Sequence, residues 1–463
     1  MTIRFAPRSR RRSTSPSAPA SAIWTSGLLT LLVGLVLIVV TPLTSAAQSD
    51  SLRILADDAD LDLGAAVDTA GLDDDSYRQL LTEQVNLLST RTDLSMAFLQ
   101  PEPGSFDFST VETIVDFAVE ADLNVRVHEL VGGPVPGWVT AGSWTADTLS
   151  EVLRTHVTSV IGHFSDRNPG VITQWDVVSD AFLPDGSPRP TIWQQVIGDD
   201  YLRIAFEAAR AADPRAELFY DDFYDDLAVT QDAVASGVAI VPGANAERTT
   251  CDAVPKCIAV RDRMAGLVEA GVPIDAIGIQ MHLFSPDPAD FGEFSDWVGD
   301  IGLRWAVTEF DVPLPVTEID NPESLDYQAG VYAAALTACV DDPRCNTFVT
   351  WGISDRFSPI PAETGGAFGG ALWFDADDLA KPAFDAMAET LSDRAIPTAT
   401  VPPAPDPSLT SPTTTPADAV ETDSSSSGSA LVPVMVGLAS LGTVAAVIVS
   451  SRRRRQASDA KNP

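Results

Sequence analysis

The sequence predicts an α/β chain folded as a (β/α)8 TIM barrel, with an N-terminal signal segment and a C-terminal transmembrane helix. Three observations predict the barrel. Eight short apolar runs of β type recur along the chain: Leu63–Val67, Val85–Ser89, Val125–His128, Ile172–Val178, Glu217–Tyr220, Ala276–Met281, Trp305–Phe310 and Thr347–Trp351. Helix-like stretches separate most of them: Ser109–Ala121, Leu149–Phe164, Tyr201–Ala212, Val260–Ala270 and Leu325–Cys339. The folded part, residues 48–395, is about 350 residues long, a size that one α/β barrel can fill. Strands alternating with helices imply a parallel sheet. Eight such units suggest that the sheet closes, and no glycine-rich phosphate loop follows the first strand to suggest a dinucleotide fold.

The ends differ from the middle. Residues 1–47 begin with Arg4, Arg8, Arg10, Arg11 and Arg12, continue through an apolar run from Leu28 to Val40, and finish at Ser45-Ala46-Ala47. Basic start, apolar centre and small-residue exit make a secretory signal. The apolar run is short beside the roughly 20 residues of a membrane span, so cleavage after Ala47 is expected, with an uncleaved anchor as the alternative. Residues 396–429 are rich in Pro, Thr and Ser and lack the apolar content to build a core, as in a linker. Residues 430–449 form a second apolar run, long enough to span a bilayer, and 450–463 carry Arg452 to Arg455, a flank that stays cytoplasmic. The expected product is exported and held at the cell surface by its C-terminal helix.

Residues 48–429 carry 19 basic and 64 acidic residues, a net charge near −45. Such a surface repels nucleic acid and anionic lipid headgroups, so nucleic acid is excluded as a partner and the membrane is met only through the C-terminal helix. Nothing signals an oligomer, and a monomer is expected. Four cysteines fall in two close pairs, Cys251/Cys257 and Cys339/Cys345, which in an exported chain read as two local disulfides. A metal site is the rival reading. The spacing does not suit a zinc knuckle and the histidines form no ligand motif, so neither metal nor cofactor is expected.

In a barrel the chemistry sits at the C-terminal ends of the strands. The polar residues there are His128 and Glu129, Ser179 and Asp180, Asp221 and Asp222, Gln280 and His282, Glu309 and Asp311, and Trp351 and Asp355. Two carboxylates from different strands, Asp180 and Glu309, could face each other across the mouth, which is what glycoside cleavage needs.

Gln100 to Phe108, Trp175 to Phe182, Ile274 to Leu283, Ala306 to Val312, Phe348 to Asp355 and Leu379 to Phe384 follow one another so that the chain, from Gly64 to about Asp385, resembles glycoside hydrolase family 10, the retaining endo-β-1,4-xylanases. The resemblance rests on segments in the family's order. Gln100-Pro101-Glu102-Pro103-Gly104-Ser105-Phe106-Asp107-Phe108 is similar to its loop after the second strand. Trp175 to Phe182 resembles the fourth strand, Ile274 to Leu283 the sixth, Ala306 to Val312 the nucleophile strand, Phe348 to Asp355 the eighth, and Leu379 to Phe384 the closing Lys-Pro segment. It implies double displacement on a β-1,4-linked, xylan-type polysaccharide, with Glu309 as nucleophile and Asp180 as acid/base. It further implies substrate-site roles for His128, Ser179, Gln280, His282 and Trp351. His282 would hold Glu309 ionised, Gln280 would position that network, and Trp351 would pack under the sugar beside the cleaved bond.

The departures from the family fall in the site itself. Asn-Glu at the end of the fourth strand is here Ser179-Asp180, one methylene shorter, and an arm short by about an ångström can cost on the order of 10²-fold in rate. Ser179 also lacks the amide that would bond a sugar 2-hydroxyl. The family's Glu-Asn-Glu-Met-Lys-Trp falls on Arg91-Thr92-Asp93-Leu94-Ser95-Met96, its Trp-His on Gly132-Gly133, and its Asn-Asp-Tyr on Asp221-Asp222-Phe223. Three functions therefore stay open. One is a surface-tethered glycoside hydrolase. Another is a catalytically impaired barrel that binds carbohydrate or serves at the cell surface. The last is a metal-dependent hydrolase using Asp221, Asp222 and Asp311. Simpler roles also stay open. Glu309 could be a buried carboxylate paired with an arginine, Asp180 a structural acid, and Trp351 barrel filler. His156 and His163 read as solvated or capping groups on a helix, and Asp222, Asp225 and Asp226 as a solvated loop.

Overall fold

The computed structural model describes residues 51–91, 94–222, 251–283 and 291–394, all within one unit, Met1–Ala399. Eight strands form a closed parallel barrel in sequence order: β1 Asp62–Val67, β2 Leu87–Thr90, β3 Asn124–Val127, β4 Ile172–Ser179, β5 Glu217–Asp222, β6 Ala276–His282, β7 Arg304–Asp311 and β8 Cys345–Thr350. The eighth pairs with the first, Leu63 opposite Phe348 and Ala65 opposite Thr350, so no edge is left open. Each apolar run read from the sequence overlaps one of these strands, with an end that lies one or two residues outside the strand at β2, β3 and β8. Their near-continuous burial is what a parallel sheet covered by helices demands.

The helices form where their sequences predict. Ser109–Ala121 buries Val111, Ile114, Val115 and Ala118, one face at helical spacing. Ala146–Arg167 starts with a capping box between Thr145 and Thr148. Pro322–Asp341 and Pro382–Ser392 each open with proline in the first turn, where its missing N–H is no loss. Lys381, just before the last of these, donates to Asp355 Oδ2 at 3.1 Å and to the Gly370 carbonyl at 2.6 Å, pinning the C-terminal helix to the loop after β8. Both expected disulfides form, Cys251–Cys257 and Cys339–Cys345, with Cα separations of 5.2 and 5.1 Å.

Among the described residues no helix is long and apolar enough to cross a membrane. The expected signal segment 1–47, linker 396–429, transmembrane helix 430–449 and basic tail 450–463 lie outside the described residues.

Candidate active site

Strand register brings the strand-end residues together. Gln280 on β6 stands opposite Glu309 on β7, His282 opposite Asp311, and Ser179 on β4 opposite Asp221 on β5. Glu309 is 4% exposed. Its Oε2 is 3.0 Å from His282 Nε2, and the other nitrogen of that ring is 2.9 Å from Asp311 Oδ2. Its Oε1 is 3.4 Å from His128 Nε2 and has no hydrogen-bond partner among the described residues. The His128 ring is oriented by Asp176, 3.1 Å from Nδ1. Glu309 therefore lies between two imidazoles, each backed by a carboxylate, and no arginine among the described residues pairs with it.

This arrangement sets the charge of the rings. Burial opposes a proton on both. For His282 the carboxylates of Asp311 and Glu309 override burial, and for His128 those of Glu309, Glu129 and Asp176 do so. Both rings are held well above the usual imidazole value of 6.5. The folded state thus keeps protons that the unfolded chain releases. Their contribution to stability is complete below 6.5 and is lost as pH rises towards the raised folded values. Thermal melts followed by circular dichroism from neutral to alkaline pH should show a steeper fall of Tm for the wild-type chain than for His282→Asn. Parallel curves would contradict this charge assignment.

Beneath Glu309 lies a buried ionic layer. The Arg126 guanidinium is fully buried. It donates to Gln174 Oε1 at 2.9 Å and to Asp176 Oδ1, and lies 3.7 Å from Asp221 Oδ1 and over the Phe219 ring. Asp221 also accepts from Gln280 Nε2 at 2.8 Å and Thr308 Oγ1 at 2.6 Å. Gln280 thus bonds Asp221 rather than Glu309. Burial pushes the Asp221 carboxyl well above the usual carboxylate range; the charges of Asp176 and Glu309 add to this, and Arg126 and His128 oppose it.

His128, Asp176 and Asp221 offer ligand atoms within 4.8 Å of one another. Arg126 and His128 already supply positive charge to both carboxylates, so this donor set is matched to protein cations. The acids of the metal-hydrolase reading do not converge. Asp222 pairs with Lys256 and the Tyr220 hydroxyl, Asp221 belongs to the Arg126 layer, and Asp311 backs His282.

Asp180 follows β4 with a left-handed backbone, φ +52°, a region that Asp tolerates better than longer side chains. Its N–H donates to the Asp221 carbonyl at 3.1 Å, its carbonyl accepts from Arg189 Nε at 2.6 Å, and its Oδ1 is buried without a hydrogen-bond partner among the described residues. Ser179 is buried at the end of β4. Trp351 is 8% exposed and packs edge-to-face with the rings of both His128 and His282, with centroids 5.8 Å apart in each case. Arg91 fixes it from below, donating to the Trp351 carbonyl at 2.8 Å and to Asp68 Oδ2 at 2.8 Å, its guanidinium 5.4 Å from the Trp351 ring.

Some expectations need correction. His156 is neither solvated nor a cap. It is fully buried with Nδ1 3.2 Å from Gln100 Oε1, and burial pushes its pKa down to about 4. The reason is its helix face, shared with buried Leu153, Val157 and Val160. His163 is half-buried, 2.9 Å from Glu112 and stacked on Phe108. Asp222 is buried and ion-paired with Lys256; Asp225 and Asp226 lie outside the described residues. Reading strand ends alone gave no role to Arg126 and Asp176. Their signal was a charge inside an otherwise apolar strand, which burial tolerates only when it is paired. Glu129, another strand-end residue, has its carboxylate in the space that Gly132 and Gly133 leave open, and that pair of glycines is its signal in the sequence.

Comparison with known proteins agrees with this geometry. The family model described as Glycosyl hydrolase family 10 matches residues 51–254 and 245–390. Endo-1,4-beta-xylanase B of Thermotoga neapolitana is 29% identical over 373 residues, covering 79% of this chain and 97% of the relative. Endo-1,4-beta-xylanase A of Fusarium oxysporum f. sp. lycopersici is 31% identical over 310 residues, covering 64% of this chain and 84% of the relative. Among solved structures, native xylanase 10B from Thermotoga maritima superposes with a TM-score of 0.63 at 30% identity, covering 74% of this chain and 99% of that one. Xylanase 10B from Thermotoga petrophila in complex with xylobiose gives 0.64 at 28% identity, covering 74% and 98%.

Proposed function

The chain belongs to glycosyl hydrolase family 10, and from that premise we propose that it cleaves β-1,4-linked, xylan-type polysaccharide with retention of configuration. The observation that carries this reading is the state of Glu309. One oxygen is held by His282 at 3.0 Å, and the other has no hydrogen-bond partner among the described residues at the C-terminal end of the barrel. A carboxylate that is oriented on one oxygen and free on the other is what attack on an anomeric carbon requires. Glu309 displaces the leaving sugar and forms a glycosyl ester, and water then releases it. Acid/base work falls to a second carboxyl group at the barrel mouth, where Asp180 holds the family's acid position, one methylene short. His128 and Ser179 line the sugar beside the cleaved bond, Trp351 packs beneath it, and Gln280 acts one shell away by holding Asp221.

The residues flanking the barrel support an exported enzyme held at the cell surface, with 1–47 as signal and 430–449 as membrane anchor. Neither metal nor cofactor enters the reaction, because two carboxyl groups and water balance it.

The test is to incubate the intact chain with xylan and short xylo-oligosaccharides, measure reducing ends, and follow the first product by proton NMR. The expected result is release of the β-anomer before mutarotation. A first-formed α-anomer would overturn retention. Saturable binding of oligosaccharide without release would favour the impaired, carbohydrate-binding barrel, whose support is the shortened side chain at position 180.

A further inference from the structure

The Glu129 carboxylate extends from the end of β3 into space that two glycines leave open. A Cβ at Gly132 would stand 2.1 Å from Glu129 Oε2, and a Cβ at Gly133 would stand 2.7 Å from Oε1. Any side chain at either position would collide with the carboxylate as it lies, so Glu129, Gly132 and Gly133 form one structural unit. The same Gly132 Cβ position is 3.1 Å from Ser179 Cβ, which puts the carboxylate alongside the end of β4. On its other side Oε2 is 3.9 Å from His128 Nε2, the nitrogen that lies 3.4 Å from Glu309 Oε1. Two atoms at those distances from one nitrogen are no farther apart than the sum of the two, about 7.3 Å. A retaining pair needs about 5–5.5 Å, which fits inside that bound. The Glu129 side chain is 15% exposed, whereas Asp176 and Asp221 are at 0%; of these three acids it alone can be met from the barrel mouth.

We propose that Glu129, rather than Asp180, gives the proton to the leaving glycosidic oxygen and recovers it from the attacking water. This inference rests on the reading of the chain as a glycosidase with Glu309 as nucleophile. In the first step Glu309 Oε1 bonds to the anomeric carbon, the bond from that carbon to the glycosidic oxygen breaks, and the Glu129 proton passes to that oxygen. In the second, water bonds to the anomeric carbon, its proton goes to the Glu129 carboxylate, and the ester to Glu309 breaks. The sum is hydrolysis, with both carboxyl groups returned to their starting state.

A glutamate just after β3 restores the methylene that Asp180 lacks just after β4. The Asp180 backbone is fixed by bonds to Asp221 and Arg189, so its shorter side chain starts from a set position at the end of β4. Its charge, second to burial among the influences that raise the Glu129 pKa, favours the protonated form, against the pull of His128 and the Ser179 hydroxyl. That is the direction a donor needs near neutral pH.

The experiment compares the intact wild-type chain, E129Q, D180N and G132A on xylan and on 2,4-dinitrophenyl β-xylobioside, whose leaving group departs without protonation. E129Q should lose roughly 10²–10⁴-fold in kcat/KM on xylan but less than about tenfold on the dinitrophenyl substrate. Azide should accelerate E129Q and yield the β-xylobiosyl azide, and the alkaline limb of the pH profile should vanish. G132A, which keeps the carboxyl group but displaces it, should show the same dependence on leaving group. D180N should slow both substrates alike and give no azide product. Wild-type rates in a folded E129Q, or azide product from D180N alone, would overturn this inference and leave the hydrolase reading standing. No turnover by the wild-type chain on either substrate would overturn both.

Discussion

Glu309→Gln is expected to lower kcat on xylan by at least about 10⁴-fold, some 5.5 kcal/mol of lost transition-state stabilisation. The substitution keeps the shape of the side chain and can still meet His282, but an amide oxygen does not form a stable glycosyl ester. The loss should fall on kcat with KM little changed, because Glu309 is 4% exposed and offers the ground-state sugar little surface. A 2-fluoro xylobioside with a good leaving group should label the wild-type chain on the tryptic peptide carrying Glu309 and leave the variant unlabelled. Activity within tenfold of wild type, or a label on another acid, would remove Glu309 from the nucleophile's place. The loss should also exceed that of any acid/base variant, since an activated substrate bypasses the acid but not the nucleophile.

Arg126→Met should destabilise the fold by about 3–5 kcal/mol, the usual cost of leaving buried charge without its partner. For a barrel of this size that is a fall in Tm on the order of 5 °C. The guanidinium is the cation shared by Asp176 and Asp221, both fully buried, and its removal leaves His128 as their remaining positive neighbour among the described residues. Activity should fall as well, because Asp176 orients the His128 ring that faces Glu309. Differential scanning calorimetry of the two chains measures the first effect, and steady-state kinetics well below the variant's Tm measures the second. An unchanged Tm would mean that water or a neutralised Asp221 replaces the arginine. In that case the double variant Arg126→Met, Asp176→Leu should be no more stable than the single one.

Much of the fold was legible because its signals are local. Short β-type runs and amphipathic stretches such as Ser109–Ala121 report their own conformation, and their alternation leaves few topologies. The same holds for the staples, since Cys251/Cys257 and Cys339/Cys345 are too close in sequence to have many other partners. The mouth of the barrel was legible as a set of strand ends. Glu309 and His282 were found together because matching positions on adjacent strands end side by side. The counter-charges were not found this way. Arg126 is 50 residues from Asp176 and 95 from Asp221, and strand identity does not say which way a long side chain reaches.

Sequence alone determined the barrel, the disulfides and which residues stand at the strand ends, Glu309 among them, because periodicity, turn chemistry and strand order are properties of neighbours along the chain. The tertiary structure decided which carboxylates share a cation, that His156 is core, that Arg91 grips Trp351, and that the room vacated at Gly132 and Gly133 is filled by Glu129. Those outcomes depend on volume and charge summed over side chains from several strands. Close packing and a low dielectric make each such choice depend on all its neighbours at once.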